Sequence, residues 1–132
     1  MHRELEDFGR STINAFSVDI DRFPSAYPQM LTALDFAIGP SSEIVIAGGE
    51  EDSGVQEMIR AVYSRFLPSK VVAFHPKEES TAQKIEASSP FIKDQIALSG
   101  KPTAYVCENY ICALPTTDIV KLNQLLTKRT QT

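Results

Sequence analysis

The sequence lacks any apolar run approaching the roughly 18 to 20 residues that a membrane-spanning helix requires, so no stretch of it reads as a membrane segment and no membrane partner is expected. Residues 1–10 are charged where a secretory signal needs an apolar core, which makes the cytoplasm the expected location. Basic residues are outnumbered, 13 against 17 acidic, and they are scattered apart from Lys128-Arg129. No cationic stripe exists to neutralise a row of phosphates, so nucleic acid is not an expected partner. Cysteine is scarce as well: Cys107 and Cys112 are the only two, too few for a secreted disulfide scaffold. Also missing are a P-loop, a GxGxxG fingerprint, a C-x-x-C pair, a GxSxG elbow and any internal repeat. These absences leave no motif that calls for a cofactor or a metal, and the chain is expected to lack catalytic machinery of its own.

What is present is enough for one hydrophobic core. A chain of 132 residues sits at the commonest domain size. Leu5, Phe8, Ile13, Phe16 and Ile20 recur at roughly helical intervals and predict a helix over residues 1–25, closed by Phe23-Pro24. Pro28 opens a second helix with Met30, Leu31, Leu34, Ala37 and Ile38 as its apolar stripe, and Gly39-Pro40 stops it. The character changes after residue 40. Ile44-Val-Ile-Ala47, closing on Gly48-Gly49, is a β-branched run of the kind buried on both faces of a sheet. A helix over 55–66 and a second such run, Lys70 to Phe74, complete a βαβ unit.

Beyond His75-Pro76 an amphipathic segment runs to about Ile96, interrupted at Pro90. A hairpin is then predicted, with strands at 103–107 and 111–114, and Pro115-Thr-Thr-Asp118 caps a last helix over 119–127. The expected architecture is therefore α/β within one domain, 1–132. It comprises an N-terminal helical hairpin (1–40) and an α/β portion (41–132) in which the βαβ unit, a helix, the β-hairpin and a C-terminal helix form a small, mostly parallel sheet with flanking helices.

Three places invite a chemical reading. Gly48 and Gly49 lie in a strand-to-helix loop, where N–H groups at a helix N-terminus bind anions. Glu50, Glu51 and Asp52 follow directly and would repel phosphate, so a solvated turn capped by Asp52 or Ser53 is the plainer expectation. His75 stands at the C-terminal end of a predicted parallel strand, the edge at which open α/β sheets take ligands, a sugar or nucleotide being the obvious class. No nucleophile adjoins it, and a structural histidine is the plainer reading. Cys107 and Cys112 face each other across the predicted hairpin. Two small buried thiols are the leading expectation, a disulfide or redox pair the main alternative, and half a zinc site, with His75 or His2 supplying nitrogen, the third.

Several stretches taken together, Tyr27-Pro-Gln-Met-Leu-Thr-Ala-Leu-Asp-Phe-Ala-Ile-Gly-Pro40, Glu43 to Gly48, Thr103 to Cys112 and Pro115 to Asp118, resemble the C-terminal end of the large YyaL-type thioredoxin-domain-containing proteins, the spermatogenesis-associated protein 20 family. The resemblance runs from about Phe8 to Leu126 in the same order and at similar spacing. It implies a larger parent with a thioredoxin-like domain, then a helical toroid resembling six-hairpin glycosidases and N-acylglucosamine 2-epimerases, then this segment. The helices of 1–40 would correspond to the end of the toroid and 41–132 to an α/β appendage. No catalytic residue of those earlier modules has a counterpart here. The Cys107/Cys112 hairpin and the Pro-Thr-Thr-Asp cap are what carry over. The function this favours is a non-catalytic accessory domain that meets a protein partner, or itself, through the N-terminal helices. A small thiol–disulfide redox module and a sugar- or nucleotide-binding domain are the alternatives.

Overall fold

The computed structural model describes residues 2–109 and 111–129, with the side chains of residues 2, 3, 128 and 129 undescribed. It forms two compact units, residues 1–40 and 41–132.

In the first unit, α1 (His2–Ala15) and α2 (Ser17–Arg22) follow one another, a turn of 3₁₀ helix spans Pro24–Ala26, and α3 (Pro28–Ile38) completes the segment. The single helix expected over 1–25 is thus broken at Phe16, without proline or glycine. At the break Phe16 takes φ −101° and ψ 6° and its N–H reaches Thr12 O at 3.4 Å, while Ser17 Oγ donates to Asn14 O at 2.9 Å. Such back-bonding bends helices. The rings of Phe16 and Tyr27 then meet at 6.1 Å between centroids. Ile20 is the one buried side chain among the described residues of this unit.

The second unit is built on a four-stranded sheet of order β2-β1-β3-β4, where β1 is Ser42–Gly48, β2 Lys70–Pro76, β3 Thr103–Glu108 and β4 Ile111–Cys112. β1 and β2 are parallel, joined through α4 (Ser53–Tyr63), and the other pairs are antiparallel. The expectation of a mostly parallel sheet is corrected to a mixed one. After β2 the chain runs through α5 (Glu79–Ser88) and two 3₁₀ turns, Pro90–Ile92 and Leu98–Gly100, and re-enters the sheet at Thr103 opposite Ala47. That is the end β2 left, so β3 must run back along β1. A continuous apolar run marks burial but carries no sign of direction.

Alternation along the strands divides the core in two. Ile44, Ile46, Ala104 and Val106 face α4 and α6 (Ile119–Arg129), where Val55, Met58, Val62, Leu122 and Leu126 close over them. Val45, Ala47 and Tyr105 face the other way, against Ile92 and Ile85. Helix starts are well capped: Asp52 accepts from Gly54 N at 2.9 Å, and Asp118 from Val120 N at 2.8 Å. Glu78 caps α5 by accepting from Ser80 N at 3.0 Å and Thr81 N at 2.8 Å. Side-chain hydrogen bonds from Ser80 and Thr81, with their backbone N–H groups, hold its carboxyl down at about 2. Because that value is depressed, the cap's contribution is fully present above the ordinary carboxylate range and is lost progressively as pH falls from that range through about 2.

The returning segment after β3 carries a bulge. Cys107 pairs with Cys112 and Glu108 with Ile111, yet Ala104 bridges Thr116, one residue out of register. Leu114 and Pro115 together oppose Tyr105, and this is why β4 stops after two residues. Pro115 has no N–H to offer the ladder.

Candidate functional site

Two places in the second unit gather the residues the sequence singled out. The first is the sheet end where β1 and β2 finish. Gly48 is buried there, and a Cβ on it would lie 2.5 Å from Val55 Cγ2 and 3.5 Å from Pro102 Cα. Its bareness lets α4 and Pro102 close on β1. Gly49 has more room, with Asp52 Cβ at 3.8 Å from a built Cβ.

His75 is 4% exposed and both its ring nitrogens are engaged. Nδ1 lies 2.8 Å from Gln95 O and Nε2 3.1 Å from Glu86 Oε1. A backbone carbonyl only accepts, so Nδ1 is the donor to Gln95 O. The same loop is held twice more. Tyr105 Oη donates to Ile96 O at 2.7 Å, and Leu98 N to Thr103 Oγ1 at 2.9 Å. Burial raises the Tyr105 hydroxyl above its ordinary value. Three side chains from two strands thus fasten residues 95–98 over the end of the sheet.

Beside them opens a recess of about 330 Å³ lined in part by His75, Lys77, Glu79, Glu86 and Ile96. Lys77 Nζ already donates to Gly100 O at 2.9 Å. Gln95 Oε1 is buried without a hydrogen-bond partner among the described residues. The partners of His75 lie 11 and 20 residues further along the chain, and no local motif announces them. Replacing His75 by Leu is expected to strand Gln95 O and Glu86 and to cost about 1 to 2 kcal/mol. Urea unfolding followed by far-UV circular dichroism would measure it, and an unchanged midpoint would show that the imidazole does not hold the loop.

The second place is the hairpin. Cys107 and Cys112 are joined as a disulfide, S–S 2.04 Å, and neither is a free thiol. The expectation of two buried thiols is corrected on both counts, since Cys107 is 3% exposed but Cys112 lies exposed on β4. The reason is register. Ala113 N donates to Val106 O at 3.0 Å, so the next pair outward is of the non-hydrogen-bonded kind, in which facing side chains come closest. Among the described residues no cluster of three or more His, Cys, Asp or Glu side chains is arranged to hold a metal ion. His2, named above as a conceivable nitrogen ligand, has its side chain outside the described residues. No described helix is long and apolar enough to cross a membrane.

These features define a small mixed-sheet α/β domain preceded by a short helical unit, with a clamped imidazole at one end of the sheet and a disulfide-stapled hairpin at the other. Over 125 residues, 95% of its length, the chain is similar to spermatogenesis-associated protein 20 of Homo sapiens, at 31% identity, and to the proteins of the same name from Rattus norvegicus and Mus musculus, at 28% and 27%. The similarity fits a C-terminal region of a larger protein, and the chain spans 16% of the length of these curated relatives. No protein-family model matches the chain, and no solved structure matches it.

Proposed function

We propose that the chain is a non-catalytic accessory module of a larger protein, and that its N-terminal helical unit is the surface through which it joins the rest of that protein. The observation that carries this reading is the state of residues 1–40. Leu5, Phe8, Val18, Phe23 and Ile38 are each more than 60% exposed, while Ile20 alone is buried among the unit's described residues. A groove of about 460 Å³ between its helices is lined by Ile13, Ile20, Pro24, Leu31 and Leu34. Exposed apolar side chains together with an apolar groove on so small a unit support its use as a contact face. The occupant we assign is helical structure from the remainder of a longer polypeptide, because the curated relatives extend far beyond the matched segment.

The reading also draws on the other unit. There the polar groups that a ligand would need, the two nitrogens of His75 and the hydroxyl of Tyr105, are engaged by the chain itself.

An immunoblot of source cells with an antibody against residues 41–132 is expected to show a band far above 14.6 kDa. A band at the size of the chain would refute the covalent arrangement and leave self-association as the use of the apolar face. In the purified chain that face has no natural cover, so light scattering should find particles larger than a monomer. Leu5→Glu with Phe8→Glu should return the chain to a monomer with the melting temperature of the α/β unit unchanged. A wild-type chain that is strictly monomeric and binds no apolar dye would count against the contact face.

A further inference from the structure

The two sulfurs of the disulfide are not equivalent, and the geometry points to Cys112 as the electrophilic sulfur of a reducible latch whose reductant is a dithiol. Cys107 lies within β3, 3% exposed, at the register position facing Glu43 of β1. Cys112 is exposed on the two-residue edge strand β4. Beside it a shallow recess of about 410 Å³ is lined by Glu108, Asn109, Ile111, Cys112 and Ala113. A thiolate must approach the sulfur it attacks along the S–S axis from the side away from the leaving sulfur, and access decides which sulfur that is. Of the two residues only Cys112 is exposed.

The exchange balances as follows. One thiolate of the dithiol attacks Cys112 Sγ and forms a mixed disulfide. The Cys107–Cys112 bond breaks and its electron pair stays on Cys107 Sγ, which takes a proton from water. The second thiolate of the reductant then attacks its own bound sulfur and releases Cys112 as a thiolate, which is protonated in turn. The dithiol leaves as a disulfide, and the chain has gained two electrons and two protons.

A dithiol is required because Cys107 stays directly across the strand pair from Cys112. After attack by a monothiol, Cys107 would close back onto Cys112 and expel it before a second external thiol arrived, an intramolecular advantage that a built-in second thiol matches. Opening the latch removes the covalent tie on β4 and leaves that edge held by backbone hydrogen bonds alone.

The test is made on the whole chain with its bridge intact. A small excess of 2-mercaptoethanol, followed by acid quench and tandem mass spectrometry of the peptide holding both cysteines, is expected to place the mixed disulfide on Cys112. After reduction with dithiothreitol under native conditions, Cys112 should be alkylated by iodoacetamide at least ~10-fold faster than Cys107. An adduct on Cys107, equal alkylation rates, or a bridge that resists dithiothreitol until the chain unfolds would each overturn the assignment. So would native protein in which both thiols are alkylated before any reductant is added.

Discussion

Leu122→Ala is expected to remove about 3 kcal/mol from the stability of the α/β unit. Leu122 is fully buried on α6, in the cluster that also holds Ile44, Ile46, Val55, Met58 and Val62. Residues of one sheet face and of α4 meet at this side chain, so its removal leaves a cavity bounded by rigid strand and helix on every side, with little freedom to collapse. Domains of this size hold roughly 5 to 15 kcal/mol in total, so the loss should bring the urea midpoint down markedly at unchanged slope. The sequence contains no tryptophan, which makes far-UV circular dichroism the natural probe. A change below about 1 kcal/mol would mean that α6 is an ornament on the sheet rather than part of its core. The accessory reading would then lose its stable α/β body, because only a cooperatively folded unit can be carried by a separate contact segment.

The legibility of this chain followed the range of the interactions that shape it. β1 and β2 could be read from their β-branched runs, and α3, α4 and α6 from apolar spacing bounded by Pro28, Pro68 and the Thr-Thr-Asp118 cap. Those are local signals. The break at Phe16 was not legible, since no proline or glycine marks it and the apolar pattern still reads as helical. Nor was the direction of β3, which depends on how residues 77–102 return to the sheet. At the candidate sites the same division holds. The approach of Cys107 to Cys112 followed from hairpin spacing, but which sulfur is buried depends on β4 being an edge strand, a fact of topology. His75 could be found by its place at a strand end. Its partners Glu86 and Gln95 come from α5 and the loop beyond, and only the tertiary fold brings them together.

Loss of the disulfide is expected to cost about 2 kcal/mol, because the bridge closes a loop of only a few residues and the entropy it removes from the unfolded chain grows slowly with loop length. For a domain of this size that corresponds to a fall of about 10 °C in melting temperature. The loss should appear equally with dithiothreitol and in a Cys107→Ala, Cys112→Ser variant, since both remove the same constraint. The double variant also shows whether the effect is reversible chemistry or damage to the hairpin: reductant should leave its melting temperature unmoved while lowering that of the parent. Any local opening beyond that global loss should be confined to the sheet edge. β4 has two register pairs to hold it, and the bulge at Leu114 and Pro115 separates them from the bridge at Thr116. Amide hydrogen exchange should therefore quicken most in 108–113 on reduction, while β1 and β2 lose no more protection than the global loss of about 2 kcal/mol accounts for. Exchange that quickened in β1 and β2 as much as in 108–113 would mean that the bridge supports the fold as a whole, and a latch at the edge would no longer describe it. No change in melting temperature at all would mean that the hairpin is already ordered without the bond, and the bridge would then have only its chemistry to contribute.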